Sequence, residues 1–325
     1  MRRAKWALAE GRRIMNRMKH IPAFYHAEDV GQLYVPRTEE AVNAGLASDL
    51  LSAEDDEQRI LLLLIDAQVD FVHTDGALSV PGAVDDTRRT IEWIFRHAER
   101  ITAIAASLDS HIPTQIFYPT WWVDEQGNHP TPYTVITCDE VDRGVWRPVY
   151  EPQWSLRYVH ELETDARKQL MIWPYHTMIG TPGHAITPAL NEAIAFHAAA
   201  RGSEPLFLHK GMIAKTEFYS MLEPEVKVVN EPQGELNVEF LKKLMRYDRI
   251  YVAGQAKSHC VLETITSVMR HYHGKPEALS KWYVLTDCMS SVAHPQIDFD
   301  AMANRYFEHF AETGLNLVQS TDPLP

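Results

Sequence analysis

The sequence predicts an α/β protein built on an open, mostly parallel sheet of about six strands with helices on both faces. Three observations lead there. Short apolar runs such as Ile60–Ile65 alternate along the chain with longer stretches that repeat apolar residues at helical spacing. The runs lack polar alternation, as strands buried on both faces do. Finally, Asp66, Asp109, Lys210 and Cys260 each follow one of these runs, and parallel sheets carry their ligands just past the carboxyl ends of strands.

In chain order, Met1 to His20 is basic with Trp6, Leu8, Ile14 and Met15 between the charges. It reads as an amphipathic helix for an anionic surface, an organelle-targeting peptide, or an arm packed on its own or a neighbouring subunit. Residues 1–57 form an N-terminal arm holding one helix, Thr38 to Leu51, with Thr38 as N-cap. The main domain, residues 58–320, begins at the strand Ile60–Ile65, followed by a helix over Asp85–Arg100 and a strand over Ile101–Leu108. An insertion over about 112–168 carries Trp121, Trp122, Tyr133, Trp146, Tyr150, Trp154 and Tyr158. It is too aromatic for disorder, which leaves a lid over a pocket or an oligomer contact. Then come a helix over Thr187–Ala200, a strand at Pro205–Leu208, a helix over Val238–Arg246 and a strand at Ile250–Ala253. Gly254 breaks that strand, and Val261, Leu262, Ile265, Val268 and Met269 set the apolar face of the next helix. Strands at Trp282–Leu285 and Leu315–Val318 flank a helix over Asp298–Thr313.

A formal net charge of −13 argues against nucleic-acid binding, and no apolar run is long enough to span a bilayer. Three scattered cysteines, Cys138, Cys260 and Cys288, fit neither a disulfide framework nor a zinc cluster. They suit a reducing, cytoplasmic setting with a free thiol.

Cys260 sits where a strand passes into a helix, near backbone N–H groups and a helix dipole that favour an anion. A carboxylate at Asp66 can take the thiol proton and return it to a leaving amine, and Lys210 offsets that carboxylate's charge. His259 is adjacent to Cys260 but points elsewhere on a helix, which makes it a supporting residue. Asp109-Ser-His111 puts two ligand-type side chains on one side of an extended segment, and His176 supplies a third. One Asp and two His suit a divalent ion such as Zn, Fe or Mn with open positions.

With these residues assembled, the chain resembles a nicotinamidase of the isochorismatase-like cysteine hydrolase superfamily. Asp66-Ala-Gln-Val-Asp-Phe71 is similar to that family's D-x-Q-x-D-F motif, whose leading Asp is the catalytic base. Lys210-Gly211 followed by Phe218-Tyr-Ser220 resembles the catalytic-lysine segment, and Gly254-Gln-Ala-Lys-Ser-His-Cys-Val261 the nucleophile motif. The resemblance implies an isochorismatase-like fold, a cis bond between Gln255 and Ala256, and an oxyanion hole from the N–H groups of Ala256 and Cys260. It also implies Asp109, His111 and His176 as metal ligands, and Phe71, Trp173 and Tyr219 around the substrate. Phe117 stands where some nicotinamidases carry a further His, so a fourth protein ligand from that place is lost.

The expectation is a metal-dependent amidohydrolase for nicotinamide or a similar small heteroaromatic carboxamide, working through a cysteine thioester. It needs a divalent metal but no organic cofactor, binds no nucleic acid, has no membrane span, and forms a homo-oligomer. The alternatives are a related cysteine hydrolase cleaving a ureide or larger amide, and a non-catalytic scaffold with the same fold.

Overall fold

A computed structural model describes residues 21–325; the basic segment Met1 to His20 lies outside the described residues. Helix α1 (Thr38–Leu46) precedes strand β1 (Ile60–Ile65), helix α2 (Ala83–His97) and strand β2 (Ala103–Asp109). Helix α3 (Pro152–Thr164) belongs to the insertion, and helix α4 (Pro188–Arg201) leads into strand β3 (Leu206–Lys210). Helix α5 (Val238–Leu244), strand β4 (Arg249–Gly254), helix α6 (Leu262–His271), strand β5 (Trp282–Leu285), helix α7 (Phe299–Ala311) and strand β6 (Asn316–Val318) complete the order.

The main sheet runs β6-β5-β4-β1-β2-β3, and every pairing in it is parallel. The chain moves outward from β1 on one side, then returns to place β4 on the other. That reversal makes the crevice between the carboxyl ends of β1 and β4 the natural ligand site. Alternate residues of β1 feed two apolar layers: Ile60, Leu62 and Leu64 into one, Leu61, Leu63 and Ile65 into the other. The strand is wholly buried, which is why its sequence shows no polar alternation.

Residues 21–57 pack on this body. Phe24 and Tyr25 meet Phe95 edge-on at 5.8 and 5.3 Å. Helix α1 crosses α4 so closely that a Cβ on Gly45 would lie 2.5 Å from the Phe196 carbonyl oxygen. Thr38 is the first helical residue rather than the cap; the cap position belongs to Arg37, whose side chain instead pairs with Glu192 at 3.1 Å. The helix stops at Leu46, short of the Leu51 expected, and Asp49 has φ +54°.

The insertion is folded. Two short antiparallel ladders, Trp122–Val123 with Arg147–Pro148 and Val135–Ile136 with Leu170–Met171, frame α3. Its aromatics do not form a loose flap: Trp121, Trp122 and Tyr158 share an apolar cluster with Phe71, Ile172, Trp173 and Ala256. Helix α3 buries Ser155, Tyr158, Val159 and Leu162 at helical spacing and leaves Arg157 exposed. No described helix is long and apolar enough to cross a membrane.

Candidate active site

Strand register assembles the site. Asp109 pairs with Lys210 across β2 and β3, and Ile65 pairs with Gly254 across β1 and β4. Asp66 therefore leaves its strand next to the turn that carries Cys260. The backbone of Asp66 is left-handed, with φ +45°, unusual for a residue with a side chain and typical of functional turns.

Lys210 is the hub, with 1% of its surface exposed. Its Nζ lies 3.0 Å from Asp66 Oδ2, 2.9 Å from Asp109 Oδ1 and 3.6 Å from Cys260 Sγ, and donates to the Phe218 carbonyl at 2.7 Å. Burial works to discharge this ammonium, but the charges of Asp109 and Asp66 outweigh it and raise its pKa well above the ordinary lysine value. Burial raises the pKa of Asp66, with Lys210 opposing and Asp109 adding to the rise. Ser107 Oγ donates to Asp66 Oδ1 at 2.6 Å, whereas the fully buried Oδ2 accepts no aligned hydrogen bond.

The Cys260 thiol corrects one expectation. Burial, with Asp66 and Asp109 adding to it, pushes its pKa well above that of a free thiol despite Lys210. The local backbone also differs: residues Lys257–Val261 form a wide π-type turn, and the regular helix α6 begins only at Leu262. Such turns cluster at functional sites. The surroundings of the thiol favour its neutral form. The Gln255–Ala256 peptide is cis, and the Ala256 N–H donates to no acceptor among the described residues.

Asp109, His111 and His176 are buried, and one ligand atom from each lies within 4.8 Å of the others. His111 Nε2 is 2.8 Å from Asp109 Oδ2, and His176 Nε2 is 3.7 Å from the same oxygen. The other ring nitrogens face carbonyls, His176 Nδ1 at 2.8 Å from Pro174 O and His111 Nδ1 at 3.3 Å from Gly211 O. Burial lowers the His111 pKa, so its ring is neutral and carries one proton for two acceptors. An N–H given to the carbonyl leaves an Nε2 lone pair facing a carboxylate, an arrangement that a cation resolves. The residues present fit a divalent ion. Gly211, with φ +80°, makes room: a Cβ there would lie 2.7 Å from Asp109 Oδ1 and 2.8 Å from His111 Cε1. Phe117 packs edge-on against the His111 ring at 4.9 Å, filling its position with packing.

The proposed substrate residues line up beside this pair of clusters. Phe71 meets His176 at 5.5 Å, Trp173 meets Tyr219 at 6.5 Å, and both Trp173 and Tyr219 close on His259 at 5.8 and 5.4 Å. His259 is a half-buried wall: desolvation, aided by Lys168, lowers its pKa to about 4.

This architecture matches solved structures. One is the yeast nicotinamidase bound to the inhibitor nicotinaldehyde, with TM-score 0.54 and 16% identity over 80% of this chain and 99% of that one. Another is a nicotinamidase pyrazinamidase from Acinetobacter baumanii, with TM-score 0.52 and 18% identity over 83% of this chain and 100% of that one. The chain has the nicotinamidase fold. No protein-family model matches the sequence, and it has no significant match among curated proteins.

Within the nicotinamidase fold, three further residues serve the site and were not singled out from the sequence. Gln68 clamps the backbone of Asp109 from both sides, donating to its carbonyl and accepting from its N–H, each at 2.8 Å. Asp70 accepts from the N–H of Thr177 at 2.7 Å, which holds the loop carrying His176. Ser107 orients Asp66, as described above. Gln68 and Asp70 were visible as the inner letters of the first-strand motif, but their partners lie more than forty residues away in sequence. Ser107 sits inside an apolar strand, and that buried hydroxyl was its signal.

Proposed function

We propose that this protein is a metal-dependent amidohydrolase that cleaves nicotinamide or a similar small heteroaromatic carboxamide to the acid and ammonia. The observation that carries the reading is Lys210, one buried ammonium touching Asp66, Cys260 and Asp109 at once. It links a nucleophile–base pair to a three-residue ligand set, and such a pair beside a cation site is suited to acyl transfer.

Asp109, His111 and His176 would hold the ion. When bound, a divalent ion supplies Lewis acidity and an open position for a ring nitrogen. The chain's own residues do the rest. Phe71, Trp173 and Tyr219 border the ring and keep water from its faces. Asp66 takes the Sγ proton through Oδ2 while the Cys260 sulfur bonds to the amide carbon. The N–H groups of Ala256 and Cys260 receive the negative oxygen. Lys210 keeps Asp66 ionised until that transfer and steadies the sulfur's charge during it. Asp66 then gives the proton to the departing nitrogen, the C–N bond breaks, and ammonia leaves a thioester. Water, deprotonated by Asp66, attacks the thioester carbon and releases the acid with the thiol restored.

The test is ammonia release from nicotinamide, pyrazinamide, a ureide and an aliphatic amide, on metal-loaded and chelated protein. Metal-dependent release from the two ring amides is expected. Release from the ureide or aliphatic amide alone would keep the Cys260 chemistry and reassign the substrate, and silence across all four would refute amide hydrolysis of this class.

A further inference from the structure

Glu217 is a buried carboxyl that the mechanism above does not use. It follows β3 by seven residues, in the segment that also carries Phe218 and Tyr219. Its backbone is tied on both sides: its N–H donates to the Tyr158 hydroxyl at 3.3 Å, and its carbonyl accepts from Glu225 N–H at 2.9 Å and the Thr216 hydroxyl at 3.4 Å. Its side chain makes one hydrogen bond, from Trp173 Nε1 to Oε2 at 3.2 Å. The indole N–H has a second, longer partner in the Tyr219 hydroxyl at 3.3 Å. Trp173 is in turn the ring that closes on Tyr219, His259 and Tyr133, at the edge of the site.

We infer that Glu217 is a positioning residue for the ring-binding face: its carboxyl oxygen accepts the Trp173 N–H and sets the plane of that indole against the bound ring. This rests on the amide-hydrolase reading above for the ligand, but not for the state of the carboxyl. No cation lies within ion-pair distance of Glu217 among the described residues. The nearby ammonium on the insertion side, Lys168, is spent on Glu225 at 2.5 Å and Glu263 at 2.8 Å. Of the charged groups near Glu217, Glu225 is held by Lys168, and Lys210 is held by Asp66 and Asp109. The gap lined by Tyr158, Leu162, Lys168, Glu217 and Tyr219 is too narrow for a water molecule. A carboxyl in such a place keeps its proton, because a buried charge with neither cation nor water is costly. Burial and the Asp109 and Glu225 charges accordingly raise its pKa well above the ordinary value.

A neutral acid and a primary amide have nearly the same shape and acceptor, so glutamine should replace Glu217 and alanine should not. In the active background, Glu217→Gln is expected to keep KM for nicotinamide within about twofold of the parent. Glu217→Ala is expected to raise KM about tenfold with kcat within about twofold, the loss of one hydrogen bond to a buried donor. The same order is expected for nicotinamide binding to Cys260→Ala protein. A Gln variant as damaged as the Ala variant, or an Ala variant with unchanged KM, overturns the inference. A second measurement needs no substrate: the infrared difference between parent and Glu217→Gln. A protonated-carboxyl carbonyl band present only in the parent supports the neutral acid, and its absence overturns the inference even if nicotinamide proves not to be a ligand.

Discussion

Replacing Lys210 with methionine removes one cation and leaves the carboxylates of Asp66 and Asp109 facing each other without it. Lys210 is 1% exposed, and methionine fills a similar volume, so the change tests charge more than packing. Asp109 keeps His111 at 2.8 Å, but Asp66 keeps only the Ser107 hydroxyl at 2.6 Å. The loss therefore falls mainly on Asp66. Breaking a buried ion pair from one side costs about 3–5 kcal/mol, and that is the destabilisation expected in urea unfolding at about pH 7.5. The sign with pH follows from Asp66. Its folded pKa is already raised by burial, and removing the ammonium raises it further above the unfolded value. The penalty is full above that folded pKa and fades as pH falls through it, because the folded carboxyl takes up a proton that the unfolded one does not. The deficit should shrink at about pH 5, and adding Asp66→Asn should recover more than half of it at neutral pH. A deficit under about 1 kcal/mol, or one that grows on acidification, would refute the reasoning that Lys210 is the charge on which the site depends.

Three further outcomes are expected. Cys260→Ala abolishes ammonia release while leaving the circular-dichroism spectrum and nicotinamide binding in place; turnover at the parent rate would remove the sulfur from the mechanism. Gly211→Ala drives a methyl into Asp109 and His111, so metal content by atomic absorption falls at least tenfold, and stability drops by about 1–3 kcal/mol from a non-glycine residue at φ +80°. His197 donates from Nε2 to the Ile101 carbonyl at 2.9 Å, and burial lowers its pKa to about 4. Its neutral form is the folded one, so its contribution is intact above about pH 6.5 and is lost as pH falls toward 4, by about 3 kcal/mol at most. His197→Gln should flatten that part of the acid unfolding curve, and identical curves would contradict it.

The alternation of apolar runs with helical periodicity was enough for the parallel sheet, because strands buried on both faces must be apolar throughout and helices covering them must be amphipathic. Strand β1 and strand β5 fall where the sequence places them, Ile60–Ile65 and Trp282–Leu285. The candidate residues were legible for a related reason: a reactive side chain at the carboxyl end of a buried strand has few structural uses, and Asp66, Asp109 and Lys210 sit there, with Cys260 in the turn that follows Arg249–Gly254. Boundaries drifted where local signals compete, as at Thr38, which looked like a cap and became the first helical residue once Arg37 found Glu192.

What the sequence could not supply is anything that depends on which strands become neighbours. The register that puts Asp109 beside Lys210, the two-sided clamp of Gln68 on Asp109 and the grip of Asp70 on Thr177 all join residues far apart in the chain. Protonation states belong to the same class. A helix start near Cys260 suggested an anion, whereas burial, with Asp66 and Asp109 adding to it, raises the pKa of the thiol. The insertion was readable as aromatic and ordered, but its ladders and helix were not. Its ladders pair segments about 25 to 35 residues apart, and its core closes against distant residues such as Phe71, Val80, Trp173 and Val226. Local chemistry reads from local sequence; charge state and reach are set by what the fold brings near.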